Sequence, residues 1–315
     1  MTFLALLLAW LVLSTDAMTA PRQVLPGTTY LVTRRCLQRG FLLRPSPLTN
    51  DIVGYLLAVA ARRYDIQVHA YCVLSNHLHL VVTDPTARLP AFSQFFNSLV
   101  ARAVNASLGR WETFWAPRSY SAVALATPED IVAKAAYVLA NPVAAGLVAT
   151  ARRWPGLWSS PTSIGAQPRT FERPRRFFRA VGRLPERAEL ELVAPPCFSD
   201  PAAFRDLLVT EYSGLEARAR AEAAAGGRSF VGERRVMKTS PLGRPESHEV
   251  RRGPNPRVAC RDKWKRIETL QRLVAFVDDY RRALVAWRDG QVGVVFPAGT
   301  YLVRLTHGVA CAATG

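Results

Sequence analysis

The sequence predicts an α+β protein built on a small antiparallel sheet with packed helices, followed by a mostly helical C-terminal extension. Three observations carry this. Residues 24–150 alternate short β-rich runs with segments of helical periodicity. Two of the β-rich runs, Gln67–Leu74 and His77–Val82, are separated only by Ser75-Asn76, the spacing of a hairpin. Beyond residue 199 the pattern is helical over long stretches. At 315 residues and 49 % apolar content the chain has room for about two domains and enough apolar mass for a core.

The elements follow in order. Thr29–Thr33 carries the first strand, and the basic run Arg34–Arg39 follows it. Thr49 or Asn50 is a candidate cap for a helix reaching Arg63, with Ile52, Val53, Leu56, Leu57 and Val59 on its apolar positions. The hairpin pair comes next. Phe92, Phe95, Phe96, Leu99, Val100 and Val104 lie at helical spacing, with Arg102 on another face. Pro128 suits a helix start with Glu129 and Asp130 in the first turn, and Pro142 is expected to stop that helix near Ala140. Residues 199–225 form a helix ended by Gly226-Gly227. Lys263–Arg288 reads as a long amphipathic helix with Ile267, Leu270, Leu273, Val274, Phe276, Val277, Tyr280 and Leu284 inward. Val292–Phe296 and Thr300–Leu305 suggest a closing hairpin.

The implied division is 21–165 for a first domain and 166–198 for an Arg/Pro-rich linker. Residues 199–315 form the α-rich extension with its terminal hairpin, a candidate DNA-binding or dimerisation region. Residues 1–20 read as an over-extended start or a leader. The apolar run Phe3–Leu13 has no Lys or Arg ahead of it, and Met18 opens a polar start. The run is short for a membrane span, and no membrane partner is expected.

Lys plus Arg total 41 and Asp plus Glu 24, a formal net charge of +17, almost all of the positive part from Arg. Such a charge bears on partners rather than fold and favours a polyanion. The planar guanidinium suits phosphate oxygens, which puts nucleic acid ahead of an anionic membrane or an acidic protein. An Arg-biased codon usage gives the same composition. The five Cys are odd in number, widely spaced and never form Cys-x-x-Cys. That argues against a disulfide framework or zinc knuckle and favours a reducing compartment, the cytoplasm.

The sharpest local pattern is Asn76-His77-Leu78-His79-Leu80. On a strand, residues i and i+2 share a face, so His77 and His79 stand side by side while Leu78 and Leu80 point into the core. Two neutral imidazoles so placed can hold one divalent cation; two solvated histidines would look the same. The second pattern is Tyr137-Val-Leu-Ala-Asn141-Pro142. Four residues make about one helical turn, which puts the phenol of Tyr137 and the amide of Asn141 on one face. A phenol can act as a nucleophile and an amide oxygen as a third metal ligand. A core tyrosine followed by an Asn that ends the helix is the bland reading. Taken together, two His and one Asn would leave a bound Mg²⁺ or Mn²⁺ its full charge for polarising a phosphodiester.

These residues resemble the single-tyrosine HUH transposases, especially the REP-associated tyrosine transposases. The similarity runs in order through Pro26–Arg35, Leu74–His79, Phe114-Trp115 to Tyr120, Tyr137–Val148 and Trp158-Ser159-Ser160, about 140 residues in all. Ser75 stands where the family often has Pro, and Ala144 where it often has Arg. The resemblance implies a ferredoxin-like sheet with helices on one side, and a transposase that cleaves and transfers single-stranded, hairpin-forming DNA. It implies His77, His79 and Asn141 as ligands of Mg²⁺ or Mn²⁺. It also implies Tyr137 as the nucleophile that takes the 5′ phosphate, with Tyr120 as a neighbouring alternative. Arg34, Arg35, Arg39, Arg102 and Arg118 are the candidate DNA contacts. The family includes many dimers, so a homodimer is among the expected assemblies. A domesticated, catalytically silent DNA-binding protein on the same fold is the alternative.

Overall fold

The computed structural model describes residues 21–175, 177–178, 182–247 and 256–313. The leader reading of residues 1–20 lies outside them. Strand β1 (Thr28–Arg35) leads through a short 3-10 turn at Leu37–Arg39 into helix α1 (Pro47–Tyr64). Strands β2 (Gln67–Val73) and β3 (His77–Asp84) form the expected hairpin, and α2 (Leu89–Ser107), β4 (Ser121–Leu125) and α3 (Pro128–Ala144) follow. The order β2-β3-β1-β4, with every neighbouring pair antiparallel, is the split βαβ arrangement of ferredoxin-like domains.

Local chemistry fixes the helix starts. Proline stands in the first turn of α1, α2 and α3, where its missing N–H costs nothing. Because Pro47 takes that place, the cap of α1 is Ser46, whose Oγ accepts from the Thr49 amide at 3.1 Å, rather than Thr49 or Asn50. Asp84 starts α2 by accepting from the Arg88 and Leu89 amides at 2.8 and 2.7 Å. Helix α3 runs past Pro142 to Ala144. The proline falls in the last turn, and the stop is made by Gly146 at φ 70°: its amide donates to Val143 and that of Leu147 to Pro142, a left-handed helix end.

The sheet has two covered faces. Tyr30, Val32, Arg34, Leu78, Leu80 and Val82 point one way, since their register pairs them. On that side Arg34 lies over Trp115, whose indole donates to the Asn97 carbonyl of α2. His79 points the other way and meets Tyr137 of α3. Helices therefore flank both faces, where the resemblance implies one. The second layer positions α3 over the histidine pair.

Residues 166–198, expected as a linker, carry β5 (Arg169–Glu172) and β6 (Arg187–Leu190), an antiparallel ribbon packed on α1. Phe171, Ala188 and Leu190 are buried there. Gly54 of α1 makes the contact, because a Cβ at that position would sit 2.1 Å from the Phe171 ring. Helix α4 (Pro201–Ala225) packs along α3, and its buried Glu216 accepts from the Ala151 amide at 2.6 Å and the Tyr212 hydroxyl at 2.8 Å. After α5 (Glu233–Lys238), β7 (Val258–Ala259) joins β4 in parallel as the fifth strand. Helix α6 covers Lys263–Arg288, as the periodicity predicts. Of its eight expected inward residues Leu273, Phe276 and Val277 are buried, with Tyr280 packed beside them and Phe296 against Tyr280. The terminal hairpin is not formed. Leu302–His307 is helix α7, and β8 (Val295–Phe296) pairs in parallel with β9 (Ala310–Cys311) across it. Leu302 and Leu305 are exposed on this helix. No helix among the described residues is long and apolar enough to cross a membrane.

One contact ties the later segment to the sheet. The β2–β3 register shifts at His69. Its Nδ1 lies 2.8 Å from the Val193 carbonyl, which can only accept, so Nε2 accepts from the Thr83 hydroxyl at 2.7 Å. Burial lowers the His69 pKa from 6.5 to about 4. Between those values the unfolded chain holds the extra proton, so stability falls as pH drops through that window, by about 3 kcal/mol at most. Urea melts at pH 7 and pH 4.5 are expected to show this loss, with a smaller one in His69→Gln. Phe171→Ala is expected to cost about 3–5 kcal/mol in the same assay. A cost near zero would show that the 166–198 ribbon is not part of the core.

Candidate functional site

The site forms at one end of the sheet. Antiparallel pairing sets Thr33 opposite His79 and Arg35 opposite His77, all four on the face that α3 crosses. The His77 and His79 rings stand 4.8 Å apart, nearly perpendicular, and the His79 ring stands 5.6 Å from that of Tyr137. Each histidine holds a neighbour through Nδ1: His77 lies 2.6 Å from Asn76 Oδ1, and His79 lies 2.9 Å from Thr33 Oγ1. His79 is buried, and its Nε2 has no hydrogen-bond partner. Burial, with His77 and Arg35 adding repulsion, holds the His79 pKa well below the ordinary histidine value. The ring is therefore neutral and able to offer a lone pair.

Tyr137 is 42 % exposed, unlike the residues around it on α3, so its hydroxyl is open to a large ligand. Lys134, one turn before it, places Nζ 5.9 Å from the phenol ring centroid. Asn141 is buried one turn after it, on the same face of α3. Tyr120 is on the far side of the sheet: its hydroxyl lies 2.9 Å from Ser93 Oγ of α2, and burial raises its pKa. The structure thus brings Tyr137, and not Tyr120, to the histidine pair.

The arginines divide by strand alternation. Arg35 shares the histidine face. Arg34 faces α2, half-buried over Trp115, with its Nε buried and unpartnered and its pKa lowered by burial. Arg39 lies beside the His77 end, where its carbonyl accepts from Asn76 Nδ2 at 3.3 Å, while its guanidinium reaches Ser247. Arg118 is exposed on the turn whose Ala116 amide and Ser119 hydroxyl bind the Arg35 carbonyl, at the same end of the sheet. Arg102 is exposed on α2, across the sheet from His79.

Among the described residues no group of three or more His, Cys, Asp or Glu can hold a metal ion. A cation at the histidine pair would draw on His77, His79 and a neutral third donor, for which Asn141 is the candidate. The unpartnered Nε2 of His79 fits such a ligand, since a buried lone pair without a partner costs about 1–3 kcal/mol that coordination would offset. Sequence reading missed Thr33 and Lys134. Thr33 needed the β1–β3 register. Lys134 was visible as one of only four lysines in the chain.

No family model matches the sequence, and no curated protein matches it. Among solved structures, a REP-associated tyrosine transposase bound to a REP hairpin is 16 % identical. That likeness covers 54 % of this chain and 93 % of the other, with a TM-score of 0.38. A Deinococcus radiodurans R1 protein described as a transposase is also 16 % identical over 35 % of this chain and 83 % of the other, with a TM-score of 0.26.

The geometry sets one expectation for the free protein. His79 stays neutral through the range near pH 6.5 where an ordinary histidine titrates. Ring ¹⁵N and ¹³C shifts followed by NMR check this; a midpoint at or above 6.5 would mean the ring is solvated.

Proposed function

We propose that the protein is a transposase-like DNA endonuclease and strand transferase that uses Tyr137 as nucleophile and acts on single-stranded DNA. The observation that carries this is the His79 ring, in contact with both His77 and Tyr137, with a buried nitrogen that has no partner. The hairpin preference comes from the sequence resemblance. A homodimer remains part of the proposal on the same ground.

The residues divide the task. Tyr137 presents its Oη at an exposed helix face, where a phosphodiester can approach in line. His77, His79 and Asn141 would hold Mg²⁺ or Mn²⁺, which when bound supplies Lewis-acid polarisation of a phosphoryl oxygen. Lys134 places its Nζ 5.9 Å from the phenol ring centroid, where it can meet a phosphate of the bound strand, and the phenol proton passes to water. The Tyr137 Oη–P bond forms, the P–O3′ bond breaks, and the released 3′ oxygen takes a proton from water. One phosphodiester replaces another, so the bond is retained for rejoining and no nucleotide is consumed. Arg35, Arg39 and Arg118, at the same end of the sheet, are the proposed contacts to flanking phosphates. Such contacts make binding salt-sensitive.

Incubation with a labelled single-stranded hairpin oligonucleotide and Mn²⁺ is expected to give a denaturation-resistant protein–DNA adduct. Tyr137→Phe is expected to reduce it to background while leaving DNA affinity unchanged, and chelation of the metal to abolish it. An adduct of unchanged yield in Tyr137→Phe would overturn the assignment. Salt-sensitive binding with no adduct in the native protein would instead establish the catalytically silent alternative.

A further inference from the structure

We infer that Asn76 and Thr33 are positioning residues that hold His77 and His79 as Nδ1–H tautomers, so that Nε2 is the ring nitrogen each presents to a cation. The choice of ligand rests on the proposed metal-dependent reading; the tautomers do not.

Hydrogen-bond polarity carries the assignment for His77. Asn76 Nδ2 lies 3.3 Å from the Arg39 carbonyl oxygen, which can only accept, and this fixes which way the Asn76 amide points. Oδ1 therefore faces His77 Nδ1 at 2.6 Å. An amide oxygen can only accept as well, so Nδ1 carries the hydrogen. In a neutral imidazole the lone pair is then on Nε2. The carbonyl that starts this chain belongs to the turn after β1, and the histidine that ends it opens β3.

For His79 the partner is the Thr33 hydroxyl, 2.9 Å from Nδ1, which can donate or accept. The other ring nitrogen decides. Nε2 is buried with no partner. If Thr33 donated, Nε2 would carry an orphaned buried N–H, the rarer of the two unsatisfied groups in folded proteins. If Thr33 accepts, Nε2 holds a lone pair, which an arriving cation completes. The Thr33–His79 register places the hydroxyl there through the backbone ladder, so the tautomer is set by the sheet rather than by a mobile loop. Partners of this kind beyond the ligands typically alter metal affinity by about 10–100-fold when removed.

The full-length protein is tested in two ways. Long-range ¹H–¹⁵N spectra of the histidine rings read the tautomers directly, without variants or metal. Pyrrole-like Nδ1 and pyridine-like Nε2 on both His77 and His79 are expected; pyrrole-like Nε2 on either would overturn the inference for that residue. Mn²⁺ binding by electron paramagnetic resonance then compares Thr33→Val, Thr33→Ser and Asn76→Ala. Thr33→Val and Asn76→Ala are expected to weaken Mn²⁺ binding by about 10–100-fold and to mix the tautomers, while Thr33→Ser restores both. Native affinity and native tautomers in Thr33→Val and Asn76→Ala would overturn the proposal. Should the native protein bind no Mn²⁺, the metal-dependent reading falls, and the ring spectra still decide the tautomers. Should Thr33→Val fail to fold, Asn76→Ala at the strand edge and the native spectra carry the test.

Discussion

The antiparallel register of β1 on β3 is the constraint on which the rest depends. It sets Thr33 against His79 and Arg35 against His77, and it turns Leu78 and Leu80 to the opposite face. Side chains alternate along a strand, so a slip of one residue would send both histidines into the core and two leucines to the site. The register is held from both sides. Leu78, Leu80 and Val82 are almost fully buried on one face, and on the other the Thr29 and Thr83 hydroxyls meet at 2.7 Å. The site is the exposed end of a ladder whose buried length fixes it.

The later half of the chain is joined to that ladder rather than appended to it. Val193 accepts from His69 at the β2 irregularity, and β7 closes the free edge of β4. The Arg261 amide donates to Asp130 at 2.8 Å, which ties the start of α6 to the first turn of α3. Residues 237–247 run along the turn after β1, where Met237, Gly243 and Ser247 accept from Arg44, Phe41 and Arg39. The helix that carries Tyr137 and the turn that orients Asn76 are thus both braced from beyond residue 190.

Much of the first domain was legible because its signals are local. The two-residue break at Ser75-Asn76, the i,i+2 histidines and the Tyr137/Asn141 spacing each follow from one element's own period. What the sequence could not show depends on elements meeting. Thr33 looks like any strand threonine until β1 lies beside β3. Pro142 reads as a stop until Gly146 supplies the better one about one helical turn later, through its positive φ. The C-terminal hairpin fails for a related reason: apolar residues make a strand only where a partner strand and a face to bury them exist, and Leu302 and Leu305 stay exposed on a short helix. The Arg/Pro-rich composition of 166–198 hid the buried Phe171, Ala188 and Leu190, which anchor it on α1.

The charge of +17 divides in the same way. Adjacent arginines on β1 serve opposite faces: Arg35 lies with the histidines, while Arg34 lies over Trp115 and costs desolvation that no phosphate on the site face can relieve. In the basic 166–198 ribbon, Arg169 lies over Phe171, Arg173 donates to the Leu184 carbonyl, and Arg187 pairs with Glu172 at 3.4 Å. In the extension, Arg257 donates to the Pro21 carbonyl and Arg261 pairs with Glu211 at 3.0 Å. Exposed pairs of this kind contribute only about 0–1 kcal/mol to stability, yet each carboxylate cancels a charge locally. A count of arginines therefore overstates the field at any one place. What distinguishes the His77 end of the sheet is that Arg35, the Arg39 turn and Arg118 lie together beside the histidine pair, of which burial keeps the His79 ring neutral.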